Sequence, residues 1–433
     1  MGHGRGRPFP GHPRLRRAQE EGLIDVAGAA YHSPLLEEAA GAVEAAGPDA
    51  GTAAHYGDPL REQRALAEGT AVVDLSHKGV LTVDGPDRLS WLTTLSSQVL
   101  TSLVPGDSSE TLFLSVQGRI ESAPHVFDDG TRTYLVTEAS ETESLRSWLE
   151  SMRFALRVEV ADRSEDIAVI GAVEVPEHLR SASAELACGL EPGTGTDADS
   201  GLPLIWKDPW PGVTHGGWAY GIQDGHPAAQ RRWSEILIRR ADLSDALTGP
   251  AADGLGLAGS WAAEALRIEA WRPRAGVDAD ERSVPHELDW LRTAVHLEKG
   301  CYKGQETIAR VHNLGHPPRR LTFLDLDGSE HTVPPAGAEV LAGDRVVGRV
   351  TAAQMHYEAG PIALAVLKRS VDPAADLVVR STRDDAAEGQ DPAAVDGQRE
   401  ERWAAAQTVV VPPEAGSAVQ REKGFLRAPR DRR

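Results

Sequence analysis

The stretch best equipped for chemistry is Lys299-Gly300-Cys301-Tyr302-Lys303-Gly304-Gln305-Glu306, which continues into Thr307-Ile308-Ala309-Arg310. A thiol acts as a nucleophile or metal ligand through its thiolate, and several features here favour that form. Gly300 and Gly304 permit a tight backbone path on either side of Cys301. The residues from Gln305 onward can form a helix, whose unpaired N–H groups and dipole favour a nearby anion. Lys299 and Lys303 add positive charge, while Glu298 and Glu306 oppose them. A free cysteine is also a good small hydrophobe, so an inert buried Cys301 stays open beside a reactive one. No His or Asp stands at a spacing that would make a protease-like pair with it.

Other side chains offer less. His312 and His316 are four apart, but Gly315 and Pro317 interrupt any helix there. With His286 they still lack a third ligand at sensible spacing, so no metal site is expected. Arg267 and Glu269 lie two apart on a predicted helix and cannot share one face, which makes an ordinary solvated helix surface the plain reading.

The elements that must position this chemistry follow from pattern. Thr70-Ala-Val-Val-Asp-Leu75 and Gly79-Val-Leu-Thr-Val83 read as strands, ending at the turn Asp84-Gly85-Pro86-Asp87. Leu89, Leu92 and Leu95 then follow at helical spacing. Strand character recurs at 111–115, 125–127, 133–137, 218–220 and 235–238, with a turn at Gln117-Gly118-Arg119. Leu145, Trp148 and Leu149 suggest a second amphipathic helix. A third is expected from Ser260, with Trp261, Ala265 and Ile268 on one face, and a fourth from Gln305. Residues 189–200 read as a surface loop. Short strands separated by Gly and Pro at 321–326, 339–341, 346–350 and 362–367 suggest a small β-barrel or sandwich.

The chain has 433 residues, enough for two or three packed domains, with 41% apolar and 25% charged residues as in ordinary globular proteins. Its formal net charge of −20 argues against a nucleic-acid partner, which needs a clustered cationic face. No apolar run reaches membrane-spanning length, and no apolar segment follows the N-terminal arginines as a signal peptide would require. Two cysteines, Cys188 and Cys301, do not make a disulfide framework. The expected setting is cytoplasmic. Residues 1–54 and 381–433 are poor in large apolar groups and read as disordered tails. Between them, 55–245, 246–318 and 319–380 are the expected folded parts.

Lys299 to Glu306 resembles the Lys-Gly-Cys-Tyr-x-Gly-Gln-Glu signature of the YgfZ family, a relative of the glycine-cleavage T-protein, and matches it at every fixed position. Asp74-Leu-Ser-His-Lys-Gly79 and Val83-Asp-Gly-Pro-Asp87 resemble the opening of a T-protein folate-binding domain. Ala265-Leu-Arg-Ile-Glu-Ala270 is similar to the family's arginine/glutamate helix, and Val347-Gly-Arg-Val-Thr351 to the start of its barrel. The resemblance spans about 55–369. It implies an α+β body of three subdomains around a central cavity that holds tetrahydrofolate or a one-carbon derivative, with a small C-terminal β-barrel.

It further implies a functional Cys301 and a role in iron–sulfur cluster assembly or repair and the tRNA modification that depends on it, with iron–sulfur client proteins as partners. Glu235 matches a glutamate that holds the pterin, whose 2-amino and N3–H groups are two parallel donors. An exposed strand position is the plainer alternative. Arg119 could hold the glutamyl tail, as guanidinium binds carboxylate bidentately, or make a structural ion pair. Arg267, Tyr302, Lys303 and Gln305 complete the candidate folate contacts, and Trp271 and Tyr302 could stack on the pterin or form core edges.

The rival is a T-protein proper, a folate-dependent aminomethyltransferase or demethylase with an essential aspartate in a Gly-Gly-x-x-Asp-Asp stretch. The matching place here is Gly118-Arg119-Ile120-Glu121-Ser122-Ala123. Ser122 and Ala123 supply no carboxylate for proton handling at a folate nitrogen, and Glu121 in a strand would face the other side. A plain binding module with an inert Cys301 is the third alternative.

Overall fold

The computed structural model describes residues 31–189, 201–329, 331–383 and 399–417. Two five-stranded sheets form its body. The first runs Glu159–Asp162, Gly79–Asp84, Arg132–Thr137, His125–Asp128, Ser108–Glu110, all antiparallel. The second runs Ile205–Lys207, Ser234–Arg239, Ile167–Ala172, Ala71–Asp74, Gly256–Ala258, with only the last pair parallel. The strands Ala71–Asp74 and Gly79–Asp84 are neighbours in sequence yet lie in different sheets. The link between them, Leu75 to Lys78, therefore crosses the seam and leaves His77 and Lys78 there.

Alternation decides what each face meets. In Gly79–Asp84, Val80 faces the space between the sheets, with Phe127, Tyr134, Val169, Trp206 and Leu237. Leu81 and Val83 face outward against the helices Arg88–Leu95 and Ala139–Ser151 through Leu92, Leu145 and Leu149. In Ser234–Arg239, Ile236 and Ile238 pack under the helices Glu177–Gly189 and Leu243–Thr248. Leu237 turns to the seam, and so does Glu235. Each fully buried Leu or Ile contributes about 1.5–3 kcal/mol relative to exposure.

The helix Ser260–Glu269 packs on the barrel strand Arg345–His356, and the helix Gln305–Leu314 follows the cysteine segment. The barrel is closed and six-stranded, in the order Arg319–Leu326, Gly360–Lys368, Arg345–His356, Glu339–Ala342, Leu377–Arg383, Arg399–Val409. Leu324, Val340, Val350, Ala363, Leu367, Val379 and Trp403 fill it. Mixed α+β with an all-β C-terminal module is the architecture read from the sequence.

Several expectations need correction. The 1–54 segment is not a tail throughout. From Tyr31 it is part of the body, because Leu35 seals the outer face of the second sheet and Ser33 Oγ donates to Asp74 Oδ2 at 2.6 Å. The Arg240 guanidinium lies 4.2 Å over the Tyr31 ring. Polar anchoring of this kind escapes a count of apolar residues. At the other end Arg399–Val409 is the strand that closes the barrel, and Val410 and Val411 are fully buried beside it. The disorder expected for 1–30, 384–398 and 418–433, and the loop expected at 190–200, fall outside the described residues. Trp218–Tyr220 is irregular chain rather than strand, packed on the backbone of Leu291. Trp261 stays 43% exposed, so the buried stripe of its helix is Ala262, Ala265, Leu266 and Ile268.

Candidate functional site

The cysteine segment is anchored at three points. Lys299 sends its ammonium into backbone carbonyls at the end of the helix Arg88–Leu95: Thr93, Ser96 at 2.5 Å and Gln98 at 3.0 Å. A cation suits these carbonyls, which have no partner within the helix. Burial pulls the Lys299 pKa down to about 8. The same ammonium lies 4.9 Å over the Tyr302 ring, whose hydroxyl burial holds above its ordinary pKa. Lys303 pairs with Glu121 at 2.9 Å and lies 5.5 Å over the Trp148 ring. Burial raises the Glu121 pKa despite Lys303. Gln305 Nε2 donates to the Lys299 carbonyl at 3.1 Å, closing the segment on itself.

Held this way, Cys301 is exposed and free. It precedes the helix Gln305–Leu314 by four residues, with Gly304 as N-cap in the left-handed region at φ +85°. Of the two glycines only Gly304 is required by the backbone, since a Cβ on Gly300 would meet nothing within 4 Å. The two lysines have their ammonium groups directed to carbonyls and to Glu121. They hold the loop in place.

The second part of the site lies at the seam. Glu235, 1% exposed, takes His125 Nδ1 at 2.8 Å on one oxygen and has Lys78 Nζ 3.6 Å from the other. Lys78 reaches Glu138 at 3.3 Å, and Arg274 grips Glu138 with two bonds of 3.0 and 2.7 Å. Arg274 continues to Asp49 at 2.8 Å, which stands 3.2 Å from His77 Nε2. Acidic and basic groups thus alternate through Glu235, Lys78, Glu138, Arg274 and Asp49, with the His125 and His77 rings at the two ends. Burial opposes ionisation of Glu235, but His125 and Lys78 outweigh it and hold its pKa down to about 2. Burial likewise disfavours the charged Glu138, and Arg274 and Lys78 overcome it, keeping its carboxyl well below the usual range. His125 stacks on Trp206 with ring centroids 3.8 Å apart and planes 2° from parallel, fixing the imidazole that meets Glu235. A carboxylate so compensated can receive two parallel N–H donors.

The remaining candidates separate. Arg119 is exposed at the hairpin joining Phe113–Leu114 to Ile120–Ser122, and its backbone N–H donates to Ser115 Oγ. Arg267 is not on a solvated face. It is 7% exposed, bound to Glu264 at 2.8 and 2.5 Å and to Asp278 at 2.6 Å, so its guanidinium ties its helix to the loop after it. Glu269, two residues on, is half-exposed and 3.5 Å from His356. Glu235 is buried rather than on an exposed strand face, and its side-chain partners are the seam residues His125 and Lys78. Trp271 is core, packed near Phe323 and His226. His286 and His316 bond to the carbonyls of Ile308 and Ala415, and His312 to the Tyr220 hydroxyl. Among the described residues no group of three or more His, Cys, Asp or Glu is placed to hold a metal ion.

Sequence reading missed Lys78, His125, Glu138, Arg274 and Asp49. His77-Lys78 had a signal, two basic residues between runs that must both be buried, but pairing six segments at one seam is a tertiary fact. A hollow of about 850 Å³ opens elsewhere, lined by Tyr56, Leu247, Leu255 and their neighbours, and holds none of these residues.

Residues 43–174 match the family model described as the GCVT N-terminal domain. The fold is similar to that of the glycine cleavage system aminomethyltransferase T from Bartonella henselae, with a TM-score of 0.61 over 88% of this chain and 97% of that one at 18% identity. The body therefore has a T-protein-like fold. Relatives named aminomethyltransferase include one from Symbiobacterium thermophilum, 28% identical over 68% of this chain and 77% of its own length. Another, from Streptomyces avermitilis, is 29% identical over 72% of this chain and 81% of its own length. No helix among the described residues is long and apolar enough to cross a membrane.

Proposed function

We propose that this chain binds tetrahydrofolate, or a one-carbon derivative of it, with the pterin held by Glu235, and acts on the one-carbon unit as T-proteins do. The observation that carries this is the ionised, buried Glu235 carboxylate at the seam of a T-protein-like body, braced by His125 and Lys78. The pterin's 2-amino and N3–H groups fit one carboxylate edge-on. Aminomethyl transfer is the chemistry the names of the relatives favour.

A second reading is favoured by the exposed Cys301 on its pinned loop and by Ser122 and Ala123 at the acid positions. In it the chain is a YgfZ-like cytoplasmic accessory protein in which Cys301 serves iron–sulfur assembly or repair and dependent tRNA modification, with iron–sulfur proteins as clients. Both readings share the folate. Titration with tetrahydrofolate tests that shared part: the Glu235→Gln variant should bind at least about tenfold more weakly, as expected when a charged hydrogen-bond partner is lost. Cys301→Ala should bind normally. Turnover of a methylated amine by Cys301→Ala supports the transferase, whereas loss of cellular function with folate binding kept supports the accessory protein. Wild-type protein that binds no reduced folate ends both.

A further inference from the structure

We propose that His125 is the general acid–base residue of the folate site, with Glu235 as the carboxylate that orients it. In the second sheet Trp206 and Glu235 stand opposite each other on neighbouring strands. One imidazole uses both. Its ring lies on the face of Trp206, and its Nδ1 meets Glu235 Oε2 at 2.8 Å. Trp206 is itself fully buried and tied by its indole N–H to the Ser109 carbonyl at 2.6 Å, which fixes the ring stacked on it. Against an ionised carboxylate the neutral imidazole keeps its proton on Nδ1, and Nε2 becomes the atom that gains and gives up a proton. Nε2 has no hydrogen-bond partner among the described residues and is not sealed from solvent.

The His125 side chain is 19% exposed, more than that of any other group in the seam network, so the network opens outward at this ring. Burial alternates along the chain before it: Glu121, Ala123 and His125 are half-buried, while Ser122 and Pro124 are buried. In extended chain that alternation puts the first three on the more open side. Glu121 holds Lys303 of the cysteine segment, and four residues of chain reach at most about 14 Å. Ala123 brings no acid to this side; the imidazole two residues on brings a proton carrier.

A histidine beside a buried carboxylate is commonly structural, and His125 does brace Glu235. Lys78 shares that task at 3.6 Å, and bracing requires no open Nε2. The other charged groups on this side are engaged elsewhere. Glu110, opposite His125 in the first sheet, is gripped by Arg272 at 2.6 and 3.2 Å. Arg272 also stands 3.4 Å from Asp208, which Arg231 holds at 3.1 Å. The imidazole is left with Glu235 on one nitrogen and an open site on the other.

The inference rests on the proposed folate site and concerns a one-carbon unit at the oxidation level of formaldehyde. Joining that unit to two folate N–H groups forms two C–N bonds and breaks the C=O bond, and the formaldehyde oxygen leaves as water with the two protons. No oxidant or reductant is needed. Nε2 of His125 delivers a proton to the departing oxygen and recovers one from nitrogen.

The test mixes the full-length protein with tetrahydrofolate and formaldehyde and follows the methylene-bridged product above the uncatalysed rate. The wild type should accelerate the condensation. His125→Asn, whose amide N–H takes the place of Nδ1 but which has no basic nitrogen, should lose about a hundredfold of that acceleration. Its tetrahydrofolate affinity should stay within about threefold, since the interaction lost is one made in the reaction and not in binding. Added imidazole should restore part of the rate to His125→Ala, a rescue that a structural role does not give. Nitrogen-15 NMR of the wild type without folate, which needs no folded variant, should place the proton of the neutral His125 ring on Nδ1. A neutral ring protonated on Nε2, wild type that binds tetrahydrofolate without acceleration, or His125→Asn as fast as wild type overturns the inference. Absence of tetrahydrofolate binding instead overturns the folate site itself.

Discussion

Gly118 and Gly304 meet face to face: a Cβ on Gly304 would stand 2.9 Å from the Gly118 Cα and 2.6 Å from the Ser115 carbonyl oxygen. Both have positive φ, +72° and +85°. The Lys303–Glu121 pair is the polar side of the same contact. The cysteine segment is thereby registered against the hairpin that carries Arg119, Glu121 and Ser122, over 180 residues earlier in the chain.

Replacing Gly304 by alanine should cost about 1–3 kcal/mol, since it strains the left-handed backbone and drives a methyl into that hairpin. Gly300→Ala, which meets open space, should stay within about 0.5 kcal/mol of wild type. Urea unfolding of the two variants makes the comparison. Equal losses would show that the contact does not constrain the segment.

Lys299→Met should loosen the loop, because the carbonyls of Thr93, Ser96 and Gln98 lose the ammonium that donates to them. A destabilisation of about 1–3 kcal/mol is expected from leaving such acceptors unpaired. Modification of Cys301 by a neutral alkylating reagent, read by peptide mass spectrometry to separate it from Cys188, should change in rate with it. An unchanged rate and melting temperature would contradict the anchoring role.

The seam predicts an acid-labile body. The Glu235 pKa is lowered to about 2 in the folded state, so its contribution is complete above the ordinary carboxylate pKa. It is lost as pH falls from there toward 2, and Glu138 titrates in the same sense. Melting temperature should drop steeply over that window. Glu235→Gln should be less stable at neutral pH by about 3–5 kcal/mol, because it leaves Lys78 and His125 without their shared anion. Its melting temperature should then depend less on pH, and parallel profiles for the two proteins would show that Glu235 is not ionised in the native state.

His215 and His296 form a contact that acid should open. His296 Nδ1 accepts the Glu298 backbone N–H at 3.3 Å, which leaves the ring proton on Nε2, facing His215 Nδ1 at 3.3 Å. A further proton on either ring places N–H against N–H. Burial, then His215 and Lys299, lower the His296 pKa against the opposing Glu298. The contact is therefore intact at neutral pH and lost as pH falls below the ordinary histidine range. Hydrogen exchange at Leu297, whose N–H bonds to the Gly216 carbonyl at 2.8 Å, should quicken on acidification after correction for intrinsic rates. His215→Gln, which keeps an acceptor that does not titrate, should weaken that dependence to the part His296 contributes.

Much of this architecture is legible in the sequence because it is periodic. Alternation in Gly79–Asp84 and Ser234–Arg239, the leucine spacing after Pro86, and the Gly- and Pro-separated strands of the barrel each announce their element. The Lys299–Glu306 segment announces itself by residue type. What stayed hidden depends on long-range pairing. Leu35 and Trp403 sit in stretches too polar to look folded, yet each fills a place prepared by distant strands. Arg267 looked solvated because its partner Asp278 lies eleven residues on, past the helix end.

A crystal structure of the complex with a stable reduced folate addresses the central claim most directly. The pterin should lie at the seam, its 2-amino and N3–H groups donating to the Glu235 carboxylate with His125 and Lys78 still in place. A folate bound elsewhere, with Glu235 still closed on Lys78 and His125 alone, would contradict it.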